Sequence, residues 1–321
     1  MINNNTVEKL SKRLKWYKVS VIVLLVFICL IAGLWLYTKE STGRTFLDKF
    51  SLLDPAREFI APENYVINIQ NLRDYLNNLE NQYPDSISIY YEQINSGANI
   101  SVNKETRLFP ASLSKLVQAI LITKKVEDGV WTWDKELVAL PEDISSDSGE
   151  LYKTIGDKPM TVEKLLEELL VNSDNTAQNI FKHYLDFDNY ILFQQATGLE
   201  DLYNEKGFIS AKEYTRILRV LYTSNFLKSE NSEKILEYMS NASFKDYLSQ
   251  GIPSDVKFAH KYGENKDYNL FADSGIVYVP NKPYMLTVML KGKDSSPQTR
   301  AWAVSLMKEI SQRAYQVSNF K

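Results

Sequence analysis

The chain has 321 residues, 44% hydrophobic and 24% charged, which is ordinary for a globular protein of one large domain or two small ones. A net charge of -3 leaves no footprint for nucleic acid, and the single cysteine, Cys29, excludes an intramolecular disulfide framework and a cysteine-rich metal site. The two histidines, His183 and His260, stand far apart with no acidic companion at ligand spacing, so neither a metal nor another cofactor is expected; a Ser-His-Asp triad would have to use one of these two.

Residues 19–37 read VSVIVLLVFICLIAGLWLY, without a charge. A helix of that length covers roughly 28 Å at about 1.5 Å per residue, enough to cross a bilayer. Trp16, Tyr17, Trp35 and Tyr37 flank it, where aromatic belts form. Lys9, Lys12, Arg13, Lys15 and Lys18 precede it, against Lys39, Arg44 and Lys49 just after it. That bias predicts a cytoplasmic N-terminus over residues 1–18, a single-pass signal-anchor over 19–37 and the bulk of the chain outside, in the cell membrane. The run is longer than a signal-peptide core and no A-x-A pattern follows. Cys29 is preceded by the bulky Val26-Phe27-Ile28, where a lipidation signal wants small residues.

Residues 38–64 mix charges with Gly43, Pro55 and Pro62 and have no sustained period, as a stalk would. Ile69, Leu72, Tyr75, Leu76 and Leu79 then follow a helical period that Pro84 ends. Ile87 to Tyr91 alternates, Asn95-Ser96-Gly97 turns, and Asn99 to Val102 returns, which predicts a hairpin. FPASLSKL, residues 109–116, opens a helix that Gly129 stops. A polar loop region leads to Thr161, a candidate N-cap for a helix through Leu170. Further helical stretches start near Asn175, Tyr190, Ser210 and Ser232. Val256–Tyr262, Ala272–Val279 and Tyr284–Leu290 alternate as strands, and Pro297 opens a last helix. Strands at both ends of the region 65–321 with helices between predict an antiparallel sheet built from both termini, packed with helices, an α/β (α+β) domain.

Three polar stretches punctuate this order. Ser112 and Lys115 lie one helical turn apart, on one face. Alone they mean little, because Ser101/Lys104 and Ser254/Lys257 share the spacing. Val171-Asn172-Ser173-Asp174-Asn175-Thr176-Ala177 sits between two helices, where capping alone would explain its composition. His260-Lys261-Tyr262-Gly263 lies on a strand, and a solvated lysine on an edge would explain it equally well. Together and in this order, P-A-S-x-x-K, S-D-N-T-A and K-Y-G resemble the S-x-x-K, S-D-N and K-T-G elements of the serine beta-lactamase and penicillin-binding protein superfamily, and among these look closest to class A beta-lactamases. The resemblance runs from about Asn68 to the last helix. It implies a sheet flanked by helices with an all-helical lobe inserted between its two sequence halves.

The resemblance implies that Ser112 attacks a carbonyl to form an acyl-enzyme, with Lys115 as its base. Burial and a neighbouring cation, Lys261, would lower the amine's pKa. Ser173 would pass the proton to the leaving nitrogen, Asn175 would hold Lys115 and the substrate, and Lys261 would attract a substrate carboxylate. Tyr262 and Gly263 would line the substrate site, and the backbone N–H groups of Ser112 and Glu264 would form the oxyanion hole. Two departures stand out. Tyr262 replaces the family's threonine, and no E-x-x-L-N pattern supplies the glutamate that activates water for deacylation; Glu200 and Glu205 are the acids in that stretch. The expected partner is a beta-lactam or a cell-wall D-Ala-D-Ala peptide. The alternatives are a peptidase or transpeptidase, and a domain that keeps the fold only to bind.

Overall fold

The computed structural model describes Arg13 and residues 15–35, 68–199 and 207–319. Its N-terminal helix and its remainder are separate units. The first unit contributes α1, Lys15–Trp35, with a mean hydropathy of 2.6 and its whole apolar window exposed. It is long and apolar enough to cross a bilayer, and it starts four residues before the expected 19–37 because Lys15 to Lys18 continue the helix. Leu36, Tyr37, the expected stalk at 38–64 and both loop acids, Glu200 and Glu205, lie outside the described residues.

The second unit is an antiparallel five-stranded sheet in the order β2-β1-β7-β6-β5. Its strands are β1 (Ile87–Gln93), β2 (Asn99–Val102), β5 (Phe258–Asn265), β6 (Leu270–Val277) and β7 (Tyr284–Lys291). The hairpin β1–β2 therefore joins the three C-terminal strands through β1–β7 pairing, from Ile87 opposite Leu290 to Gln93 opposite Tyr284. Between the two halves come α3 (Ser114–Glu127), the short pair β3 (Glu136–Leu137) and β4 (Met160–Thr161), α4 (Val162–Val171), α5 (Asn175–Lys182), α6 (Phe187–Thr197), α7 (Ala211–Tyr222) and α8 (Ser229–Ser240). This is the expected sheet with an inserted helical lobe.

On one face, α2 (Gln70–Gln82) and α9 (Pro297–Asn319) cover the sheet. Leu72, Leu76 and Leu79 of α2 and Ala303, Met307, Ile310 and Ala314 of α9 share one core with Ile87, Ile89, Tyr91, Leu286 and Val288. On the other face α7 packs on β1, β6 and β7. Ser88 Oγ accepts the first N–H of α7, from Ala211, at 3.0 Å, and Thr215, Thr287 and Ser274 join hydroxyls at 2.7 and 2.6 Å beneath the helix. Both faces being covered, β1 and β6 are buried at every position and β7 at all but Lys291. The apparent alternation in these strands marks which helix layer a side chain meets, since both sides exclude water.

Local chemistry fixes the helix ends. Thr161 caps α4 through Lys164 N at 3.3 Å, and Ser210 and Glu213 form a reciprocal capping box on α7. Gly129, at φ +74°, turns the chain out of α3. His183 ends α5, its imidazole Nε2 2.6 Å from Asp143 Oδ1.

Candidate active site

Ser112 sits in a single 3-10 turn, Ala111–Leu113, that feeds directly into α3. Ala111 before it has φ +49°, a left-handed conformation that an alanine adopts only when its surroundings hold it there. Ser114 Oγ donates to Ala111 O at 2.8 Å, and Tyr214 OH donates to Leu113 O at 2.9 Å from α7 behind. The turn is thus pinned from the helix and from the opposite layer, leaving Ser112 half-buried at its apex.

Lys115, in the first turn of α3, is 0% exposed. Its Nζ donates to Ser173 O, to Ser173 Oγ at 3.3 Å and to Asn175 Oδ1 at 2.6 Å. The S-D-N loop between α4 and α5 is therefore tied to the S-x-x-K helix through one amine. Ser173 is itself left-handed at φ +53°, and Asp174 caps α5 through Ala177 N at 2.9 Å while its other oxygen accepts Leu151 N at 2.9 Å. Burial lowers the Lys115 amine from 10.5 to about 7; the nearby Asp174 carboxylate opposes this and the Lys182 cation adds to it. The cation that acts on this amine is therefore Lys182, in place of the expected Lys261.

Lys261 is on β5, the edge strand. It is 1% exposed, which rules out the solvated edge lysine. Burial pushes its amine well down, Lys115 pushes further in the same direction, and Asp273 pulls back. Lys115 thus acts on Lys261, while the cation that acts on Lys115 is Lys182. Gly263 brings β5 against the turn that carries Ser112: a Cβ there would lie 2.9 Å from Ser112 N and 3.2 Å from Leu113 N. The absent side chain lets the strand edge approach the backbone N–H of Ser112. Glu264 turns its carboxylate away, to Tyr247 OH at 2.6 Å and Arg300 Nε at 3.1 Å.

Tyr262 lies across this crevice. Its ring stacks on Phe244, with centroids 3.7 Å apart, and covers Lys261 Nζ at 4.6 Å. Burial raises its phenol, against the hydroxyl of Ser148 and, more weakly, that of Ser173. Lys261 Nζ donates to Tyr262 O at 3.2 Å. Ser148 and Phe244 carry no signal of their own in the sequence and meet the site residues only through tertiary contact, whereas Asp174 belongs to the S-D-N stretch. Among the described residues no group of His, Cys, Asp and Glu side chains could hold a metal ion.

The eight residues expected from the sequence thus come from three remote stretches that meet. Residues 71–318 match the model of the beta-lactamase enzyme family. The chain is 24% identical over 231 residues to beta-lactamase ROB-1 of Haemophilus influenzae, covering 67% of this chain and 74% of that one. Among solved structures it is similar to PBP-A, with a TM-score of 0.68, 22% identity and coverage of 78% and 98%. A mutant of PBP-A solved as an acyl-enzyme complex with penicillin G gives the same TM-score. An ancestral class A beta-lactamase gives 0.67 at 20% identity, covering 76% and 99%.

Proposed function

The chain belongs to the beta-lactamase enzyme family, and from that premise we propose that it is a serine acyltransferase or hydrolase, anchored outside the cytoplasm, whose Ser112 is acylated by beta-lactams or by D-Ala-D-Ala wall peptides. The observation that carries this reading is the fully buried Lys115 amine, held by Ser173 and Asn175 one turn from Ser112. As a neutral amine near pH 7 it takes the Ser112 proton while Oγ forms a bond to the carbonyl carbon. The carbonyl oxygen gathers charge against the Ser112 and Glu264 N–H groups. Ser173, bonded to Lys115, relays the proton to the departing nitrogen, and the C–N bond breaks.

Two features direct the reading toward a slow enzyme. The deacylation glutamate pattern is missing from the sequence, so the acyl bond outlives its formation. Tyr262 covers Lys261, the group that would attract a substrate carboxylate. That cover also favours the second reading, a domain that binds without turnover.

Full-length protein in detergent, mixed with a fluorescent penicillin and separately with a chromogenic cephalosporin, separates these. We expect a stable fluorescent adduct that is lost in Ser112→Ala, with little steady colour release. Steady Ser112-dependent colour release identifies a beta-lactamase instead. Tyr262→Thr uncovers Lys261 and restores the short hydroxyl, so labelling accelerates by about tenfold, the worth of one hydrogen bond to a charged group. No label in either the native protein or Tyr262→Thr, with folding intact, overturns catalysis at Ser112.

A further inference from the structure

Sequence counting allowed a Ser-His-Asp triad at one of only two histidines, and one of them has the other two members beside it. His260 precedes Lys261 on β5, so strand alternation sends its side chain to the other face, away from the amine. Its Nδ1 is 2.9 Å from Asp273 Oδ1, and its Nε2 is 3.3 Å from Ser249 Oγ. Asp273 is 0% exposed and His260 1%, while Ser249 is half-buried. The second carboxylate oxygen of Asp273 accepts Leu248 N at 3.2 Å. An acceptor at Nδ1 holds the proton there and leaves the Nε2 lone pair facing the Ser249 hydroxyl. His183 has the acidic partner, Asp143, but no serine.

Ser249 is carried on a 3-10 turn, Tyr247–Gly251, which is clamped from two sides. Ser311 Oγ of α9 donates to Leu248 O at 2.7 Å, opposite the Asp273 bond. Tyr247 opens the turn at φ +57°. This left-handed residue stands two positions before Ser249, where Ala111 stands one before Ser112. A cavity of about 580 Å³ has both Ser249 and His260 on its wall, so the hydroxyl and its base are reachable. Lys245, Lys257 and Asp255 line the same cavity, and neither lysine has an ion-pair partner among the described residues. Two free ammonium groups against one carboxylate suit an anionic substrate.

We propose that Ser249, His260 and Asp273 form a second acyl-transfer centre, independent of Ser112, for small esters bearing a carboxylate. Ser249 Oγ bonds to the ester carbonyl carbon while its proton passes to His260 Nε2. The C–O bond to the alcohol breaks, and the alkoxide takes that proton and leaves. Water then gives a proton to Nε2 and its oxygen to the acyl carbon; the acid departs and Ser249 recovers its proton. Lys245 and Lys257 hold the substrate carboxylate. Asp273 bonds the imidazole and Leu248 N and does not touch the substrate, so it is a positioning residue.

The test uses full-length Ser112→Ala protein in detergent, with diisopropyl fluorophosphate as covalent probe and mono(4-nitrophenyl) succinate as substrate. We expect one phosphoryl adduct, mapped by peptide mass to Ser249, with fluoride released, and steady release of nitrophenol. Both rates fall about a hundredfold when Ser249→Ala is added, and likewise with His260→Gln. Asp273→Asn keeps the adduct site but slows its formation, through the wrong imidazole tautomer. Ser249→Ala removes one half-buried hydroxyl, so an unchanged thermal transition shows that the fold is kept even if the buried His260 variant does not fold. No adduct on Ser249 in Ser112→Ala, or ester hydrolysis that survives Ser249→Ala, overturns the proposal. Penicillin labelling of Ser112 has no bearing on either outcome.

Discussion

In the proposed mechanism Lys115 has to lose a proton to act, and its surroundings decide when it does so. Its amine titrates at about 7 in the fold against 10.5 ordinarily, chiefly because burial disfavours the charge. The base is the neutral form, so penicillin acylation of Ser112 should rise about tenfold per pH unit below pH 7 and level off above about pH 8. Single-turnover labelling from pH 5 to pH 9 reads this directly, and a flat profile removes Lys115 from the proton path. Stability follows the same titration with its own sign. Between about 7 and 10.5 the unfolded lysine binds a proton that the folded one does not, so this group makes the fold more stable as pH rises through that window. Below pH 7 the buried ammonium costs its full penalty. Lys115→Met removes both effects: labelling vanishes, and the variant gains stability relative to the native protein as pH falls toward 7.

The S-D-N loop holds its shape through one carboxylate. Asp174 caps α5 and, with its second oxygen, grips Leu151 N in the preceding loop. Gly149 passes so close that a Cβ there would run into the Asp174 carboxylate, and its φ of +80° already favours glycine. Asp174→Ala should cost about 1–2 kcal/mol in denaturant unfolding, the worth of a cap and a buried bond. Gly149→Ala costs more in the native background than in Asp174→Ala, because the clash with the carboxylate is removed there while the one with the Asp174 Cα, 2.6 Å away, remains. A double-mutant cycle should show coupling of at least about 0.5 kcal/mol; strict additivity would mean that the left-handed φ and the Asp174 Cα, not the carboxylate, fix this glycine. The cap at Asp174 was legible in the sequence as a possible use of the S-D-N stretch, and so were Thr161, Ser210 and Gly129, because capping is local chemistry. Ser112, Lys115 and the loop partners Ser173 and Asn175 were legible as motifs with fixed spacing. The turn Tyr247–Gly251 was not, since five residues carry no period and its shape comes from Asp273 and Ser311. Nor was the reach of Tyr262 to Phe244 and Ser148. The missing threonine could be seen, but where a longer side chain goes depends on residues about twenty and one hundred positions away.

The chain as a whole poses a question of sidedness, which composition answers more directly than packing does. Helix α1 carries a mean hydropathy of 2.6 with its whole apolar window exposed, so water is the wrong solvent for it. Lys9, Lys12, Arg13, Lys15 and Lys18 crowd its N-terminal side, against Lys39, Arg44 and Lys49 in the stretch that follows. Lysine and arginine near a span stay on the cytoplasmic side, so the proposed orientation has Ser112 and Ser249 outside the cytoplasm. Cys29 is the only cysteine, so a Cys29→Ala background is blank for thiol labelling. In intact cells a membrane-impermeant maleimide should label Lys266→Cys, an exposed position after β5, and should label Asn4→Cys only after permeabilisation. Carbonate extraction should leave both variants in the membrane pellet, as a span requires and a cleaved leader does not. Labelling of Asn4→Cys in intact cells would reverse the orientation, and release of the chain by carbonate would remove the anchor.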